Sequence, residues 1–348
     1  MNRATRFLLG TSVFLSSILL AHPAQAAGSP LAPIYFEVLH QIDRNQLITR
    51  LKEMTGVLPV SIGGQATLIN ERYSPAAKAK FREYWTNYYR SLGINVQEMT
   101  YKTEHKNLEE FGHNLEAVLP GKSADSIVII VHYDSMGPEG QETTNPGVDD
   151  DMTGMAVQLE TARLFAMHRN LLQYTVRFVA ADFEEWDKPG LEGARKYAHY
   201  IKNLSETQHF RIVSAIDDEQ SGWNCVRDGK CIDGSTTPKL LINDCADDAR
   251  YTSKEFSQKL IDMAPQITMM PVVTSCAGQD SDHYAMWEIG IPALEYGEFS
   301  WQNNDHFDSS GGDIYSKIDE DYFFTIAQVG IVFSATQAGL DSTLPLSF

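Results

Sequence analysis

Three things are scarce in this chain: positive charge, cysteine and, beyond its first thirty residues, any long apolar run. Only 28 of 348 residues are Lys or Arg against 46 Asp or Glu, a net charge of −18. A surface so poor in cations disfavours nucleic acid and anionic membranes as partners. Four cysteines are too few for a disulfide-built fold, and no CxxC pair offers a cysteine-ligated zinc site. No internal repeat, low-complexity tract or Pro/Ser-rich linker follows residue 30. A chain of this length, so composed, can bury a substantial core.

What is present begins with a leader. In MNRATRFLLGTSVFLSSILLAHPAQA, Arg3 and Arg6 form a positive start, Phe7 to Ala21 an apolar stretch too short for a convincing span, and Ala24-Gln25-Ala26 a small-x-small cleavage signal. Residues 1–26 therefore read as a signal peptide, and 27–348 as a single catalytic domain, secreted or periplasmic and free of the membrane once the leader is removed. The leader takes two arginines and no acid with it, so the mature chain is more acidic still. Export also favours disulfides among Cys225, Cys231, Cys245 and Cys276. Cys225 and Cys231 flank a turn at Asp228-Gly229 and could close a short loop, but four cysteines allow three pairings and spacing leaves them open.

Residues 74–93 read as a helix with Ser74 as N-cap, Pro75 in the first turn and Gly93 at the stop. Its stripe of Phe81, Tyr84, Trp85, Tyr88 and Leu92 is expected in the core. Four short runs, SIVIIV (126–131), TVRFVAADF (175–183), RIVSAI (211–216) and IPALEY (291–296), suit strands buried on both faces of a mainly parallel sheet. Helical patterns at 152–167 and 190–203 lie between them. Strand alternating with helix predicts a three-layer α/β/α fold around a mainly parallel mixed central sheet.

The acids and imidazoles follow the strands. SIVIIV runs into His132-Tyr133-Asp134, TVRFVAADF into Glu184-Glu185, and RIVSAI into Asp217-Asp218. Asp149, Asp150 and Asp151 open the helix after the first of these strands, and His306 follows the last. In open α/β sheets ligands bind beyond the carboxyl ends of strands, so these groups should meet at one edge. Gathered carboxylates must raise their pKa values or bind cations. Beside these motifs the sequence offers no Lys or Arg except Lys188. Imidazole with carboxylate is a donor set that suits zinc. Three ligand carboxylates and a bridging hydroxide would neutralise two dications.

The ordered set HYDS, GVDDDMTGMAVQLETAR, FEE with GLEGARKYA, the Asp after RIVSAI, and SDHYAMWEIGIPALEY resembles the M28 family of zinc aminopeptidases. NLEAVLPG (114–121) resembles the family's lead-in to the His strand. The likeness implies a zinc-exopeptidase (phosphorylase/hydrolase-like) fold and two zinc ions per chain. It implies His132, Asp150, Glu185, Asp217 and His306 as metal ligands, with Asp150 bridging both ions and Asp134 fixing the His132 tautomer. Asp149 and Asp151 are then loop or cap residues and not ligands, and Asp218 and His283 are the rivals of Asp217 and His306. Glu184 would be the general base, activating a metal-bridging hydroxide against the N-terminal residue of peptides with a free N-terminus. The sequence departs from the family in the extra residues of EEWDKPGLEGA, in the looser HFDSSGGD, and in Gly278, where some relatives carry a tyrosine. The related glutaminyl cyclases, acyltransferases that also carry HYDS, use one zinc and a less acidic counterpart of DDD. A catalytically dead binding ectodomain would be expected to lack Glu184 or a ligand, and none is missing.

Overall fold

The computed structural model describes residues 30–104, 109–137, 145–185, 190–243, 254–276, 281–305 and 312–340. The leader, Lys188, Cys245, Gly278 and His306 lie outside the described residues.

Two helices, α1 (Pro33–Gln41) and α2 (Arg44–Met54), come first, followed by a small hairpin of β1 (Val60–Ile62) and β2 (Gln65–Thr67). Helix α3 (Pro75–Ser91) leads into an antiparallel pair, β3 (Asn95–Lys102) and β4 (Phe111–Leu119). Strand and helix then alternate through β5 (Ser123–His132), α4 (Met152–Met167), β6 (Tyr174–Ala181), α5 (Glu192–Gln208) and β7 (Ile212–Glu219). A short α6 (Cys225–Asp228) precedes β8 (Leu240–Asn243), α7 (Lys254–Met263) and β9 (Val272–Ser275). Helix α8 (His283–Glu288), β10 (Ala293–Glu298) and α9 (Glu320–Gln337) complete the order.

Eight strands form one mixed sheet in the order β3-β4-β6-β5-β7-β10-β8-β9. Its centre, β6-β5-β7-β10, is parallel, while β4 and β8 run antiparallel to their inner neighbours. The apolar side chains of α1 to α4 and α9 pack on one face and those of α5 and α8 on the other. This is the three-layer arrangement that the alternating pattern predicts.

Local chemistry explains the elements that carry the site. Ser74 Oγ accepts the Ala77 N–H at 3.3 Å, Pro75 opens α3, and the chain leaves it through Gly93 at φ +70°. Phe81, Trp85 and Tyr89 of this helix are fully buried, whereas Tyr88 stays partly buried and donates to the Leu159 carbonyl at 3.1 Å. Helix α4 spans the expected 152–167 but is covered on nearly all sides, since it lies between the sheet and the α2 and α9 layer. Its buried polar residue is satisfied: Gln158 donates to the Ile129 and Val179 carbonyls at 3.1 and 2.8 Å and accepts from Trp85 and Tyr89.

The four apolar runs become the four parallel strands, with one difference that matters. Strand β7 does not end at Ile216; Asp217, Asp218 and Glu219 continue it, paired with Glu295, Tyr296 and Gly297 of β10. Cys225 and Cys231 form a disulfide, and Cys276 is also disulfide-bonded. Among the described residues no helix is long and apolar enough to cross a membrane.

Candidate metal centre

Three neighbouring parallel strands end at the same edge. His132 closes β5, the Glu184-Glu185 pair follows β6, and Glu219 closes β7. The N-terminus of α4 adds Asp150 and Asp151. Two groups of donor atoms lie within 4.8 Å of one another: His132, Asp150 and Glu185, and His132, Asp151 and Glu219. His132 belongs to both.

The imidazole is fully buried. Its Nδ1 faces the Asp134 main-chain carbonyl at 3.3 Å, while the Asp134 carboxylate stands farther off at 3.8 Å. A carbonyl can only accept, so this contact places a proton on Nδ1 and directs Nε2 to the site. Nε2 lies 3.0 Å from Asp150 Oδ1 and 3.6 Å from Glu219 Oε1. Neither His132 Nε2 nor Asp150 Oδ1 makes a hydrogen bond, and Asp151 Oδ2 is likewise unpartnered. Buried acceptors that converge without donors between them suit a cation.

The supporting contacts hold these groups from behind. Asp134 accepts the main-chain N–H groups of Glu184 and Glu185 at 3.0 and 3.2 Å, so it orients the Glu pair as well as the histidine. Asp313 accepts the N–H groups of Asp149 and Asp150 at 2.7 and 3.0 Å. Gln220 Nε2 donates to Asp150 Oδ2 at 3.1 Å. Asp149 faces away, accepting from Gly222 and Asn304 at 2.7 and 3.0 Å, and Asp151 caps α4 through the Gly154 N–H at 3.0 Å. Asp149 keeps the loop role expected of it, whereas Asp151, expected only to cap, also falls in a donor group with His132 and Glu219.

Asp217 is not in either donor group. Ile130 of β5 stands opposite Asp217 of β7, so His132, two residues on, is level with Glu219. Asp217 sits one step deeper, accepting from Ser281 Oγ at 3.0 Å and from the His283 N–H at 2.9 Å. Glu219 is thus the acid level with His132, because β7 is longer than its apolar run, while Asp217 Oδ1 is itself buried without a hydrogen-bond partner. Asp218 points to the opposite face, bonded to Ser221 and to the Tyr296 hydroxyl at 3.0 Å. The His283 ring lies 3.2 Å from Glu295 and 3.4 Å from Asp217, outside both donor groups. His306 lies outside the described residues. Glu219, Asp313 and Ser281 are the contributors that motif reading missed; only the Glu that directly follows Asp217-Asp218 carried a visible signal.

The electrostatics describe a cluster short of positive charge. Burial pushes the carboxyls of Glu184 and Glu185 well above the usual range; Asp150 repels both, and His132 opposes the rise. Burial likewise raises Asp151 and Glu219. It raises Asp149 to about 6 and Asp218 to about 7. Burial alone would lower the pKa of His132, but Glu219 and Glu184 hold it well above an imidazole's ordinary value. A divalent cation would relieve this repulsion between buried carboxylates. The donor set, one imidazole nitrogen with carboxylate oxygens, fits zinc.

Comparison with known proteins identifies the family and the fold. Residues 114–333 match the model of peptidase family M28. The probable leucine aminopeptidase of Arthroderma otae is 22% identical over 63% of this chain, and the match spans 55% of that relative's length, little more than half. The LapA aminopeptidase of Legionella pneumophila has a similar fold, with a TM-score of 0.68 at 16% identity over 93% of this chain and 79% of its own. The glutaminyl cyclase of Fimbriiglobus ruber is also similar in fold, with a TM-score of 0.65 at 17% identity over 90% of this chain and 99% of its own. At these identities the solved structures share the fold.

Proposed function

The chain belongs to peptidase family M28, and on that premise we propose that it is a zinc aminopeptidase that removes the N-terminal residue from peptides. The observation that carries this is the convergence of the unpartnered His132 Nε2 with Asp150 and Glu185 in one donor group and with Asp151 and Glu219 in another. His132, Asp150 and Glu185 would hold one zinc. Asp151 and Glu219, the other acids beside the imidazole, would serve a second, and His306 is the further imidazole the sequence offers. Bound zinc would polarise the scissile carbonyl and lower the pKa of water.

The protein's own groups do the rest. Glu184, whose main chain is fixed by Asp134, accepts the proton of the attacking water and returns it to the departing amine. The excess of carboxylate at this edge favours the ammonium group of a free N-terminus, which selects exo- over endo-cleavage. We place the protein outside the cytoplasm, on the strength of the leader, with residues 27–348 as its single catalytic domain.

Zinc content and hydrolysis of a panel of aminoacyl-arylamides test the reading together. The wild-type protein should bind zinc and release the arylamine, and Glu184→Gln should keep the metal while losing at least about 100-fold in kcat. An N-acetylated peptide cut as fast as its free counterpart would remove the exopeptidase assignment. Ammonia release from a Gln-initiated peptide without hydrolysis of the panel would make the protein a glutaminyl cyclase instead.

A further inference from the structure

Arg72 lies ahead of the family-matched residues and outside both donor groups, yet it is fully buried beside them. Its Nε donates to the Tyr133 carbonyl at 2.7 Å and its Nη2 to the Gly147 carbonyl at 2.9 Å. Its Nη1 serves the Pro146 carbonyl and, at 3.2 Å, that of Met54. The main chain repeats the link, since the Arg72 N–H donates to Ser135 Oγ at 3.0 Å and its carbonyl accepts the Ser135 N–H at 3.4 Å. Ser135 Oγ in turn donates to the Asn145 carbonyl at 3.1 Å.

Tyr133 directly follows His132, and Gly147 stands three residues before Asp150. One planar fork therefore joins the residue just after the imidazole at the end of β5, the loop just before the Asp150 carboxylate and the end of α2. Burial lowers the Arg72 pKa to about 10 against the pull of Asp313, Glu71, Asp134 and Glu185, which leaves it charged at neutral pH. Space is tight as well: Gly147 has φ +55°, and a Cβ there would lie 2.6 Å from Arg72 Nη2 and 2.5 Å from the Asp150 carbonyl.

We propose that Arg72 is a positioning residue that sets the separation of His132 and Asp150, and with it the affinity of the metal centre. The proposal rests on the reading of that cluster as a zinc site. A lysine would keep the charge but could not span these carbonyls, because its single ammonium lacks the guanidinium fork.

The test compares the wild-type protein with Arg72→Lys and Ser135→Ala. Zinc affinity is measured by competition with a chromophoric chelator, thermal unfolding by circular dichroism, and kcat and KM on an aminoacyl-arylamide. Arg72→Lys should unfold cooperatively, bind zinc at least about tenfold more weakly and lose kcat with KM nearly unchanged, and excess zinc should restore part of the loss. Ser135→Ala should move the same quantities in the same direction by less. Variants that fold with wild-type zinc affinity and kcat, whatever their melting temperature, overturn the proposal. If Arg72→Lys does not fold, wild-type zinc affinity in Ser135→Ala overturns it alone. A wild-type protein that takes up no zinc is a separate result, and it refutes the metal-centre reading on which the proposal stands.

Discussion

Glu219 Oε1 lies 3.6 Å from His132 Nε2, across two parallel strands whose register sets the two residues level. Asp217, on the same face two residues earlier, is tied to Glu219 through Ser281, whose hydroxyl lies 3.0 Å from Asp217 Oδ2 and 2.8 Å from Glu219 Oε2. Glu219→Gln should therefore weaken zinc binding more than Asp217→Asn does. Loss of a supporting group costs about 10–100-fold in metal affinity, and loss of a ligand should exceed that. Chelator competition on both variants measures the difference, and equal losses would return Asp217 to the ligand position.

Removing metal should destabilise the fold, because the buried carboxylates at this edge then face one another without a cation. Zinc at about 1,000 times its dissociation constant is expected to contribute about 4 kcal/mol of stability. Thermal unfolding with and without a chelator reads this directly. A melting temperature indifferent to zinc would contradict the assigned donor set.

Lys78 is buried on α3 and pairs with Asp182 at 2.9 Å and Glu109 at 2.7 Å, with its ammonium 3.7 Å from the centre of the Phe183 ring. Phe183 holds φ +59°, a conformation L side chains seldom adopt, immediately before Glu184. Lys78→Met should cost about 3–5 kcal/mol by leaving buried acids uncompensated. The double variant Lys78→Met/Asp182→Asn should recover part of this. Urea unfolding of the two variants and the wild type decides it; a single variant within 1 kcal/mol of the wild type (roughly the scale of an exposed pair) would show that the ammonium is dispensable.

Gly154 lets α4 approach β7, and a Cβ there would meet the Asp218 carbonyl at 2.0 Å and Asp151 Oδ2 at 2.6 Å. Gly154→Ala should force the helix off the strand, with a cost of about 1–3 kcal/mol from overpacking. It should also weaken zinc binding, because Asp150 and Asp151 move with the helix while Glu219 stays with the sheet. Denaturation and chelator competition test the two effects separately. Weakened stability with unaltered zinc affinity would uncouple the helix position from the site.

Local pattern made the layers and much of the site legible. The Ser74-Pro75 start, the apolar runs and the 152–167 periodicity each report short-range preferences, and each marks an element that forms, although β7 extends past its run to Glu219. The edge strands β3 and β9 and the inner strand β8 are not legible in the sequence, because β3 is half-exposed and β8 and β9 are only four residues long. The scarcity of Lys and Arg beside the acidic motifs was also misleading in space. Arg72 and Lys78 arrive from α3 and the segment before it, far away in the chain.

From residues alone one could tell that His132, Asp150, Glu184 and Glu185 would gather at one sheet edge, since side-chain type and strand order are carried by neighbours in the chain. Which acid of Asp217-Asp218-Glu219 faces His132 was decided only on folding. It depends on how far β7 extends against β5 and β10, and that register is a property of three strands at once. The buried guanidinium of Arg72 was hidden for the same reason: its acceptors are carbonyls, which every residue has, and only tertiary packing selects among them.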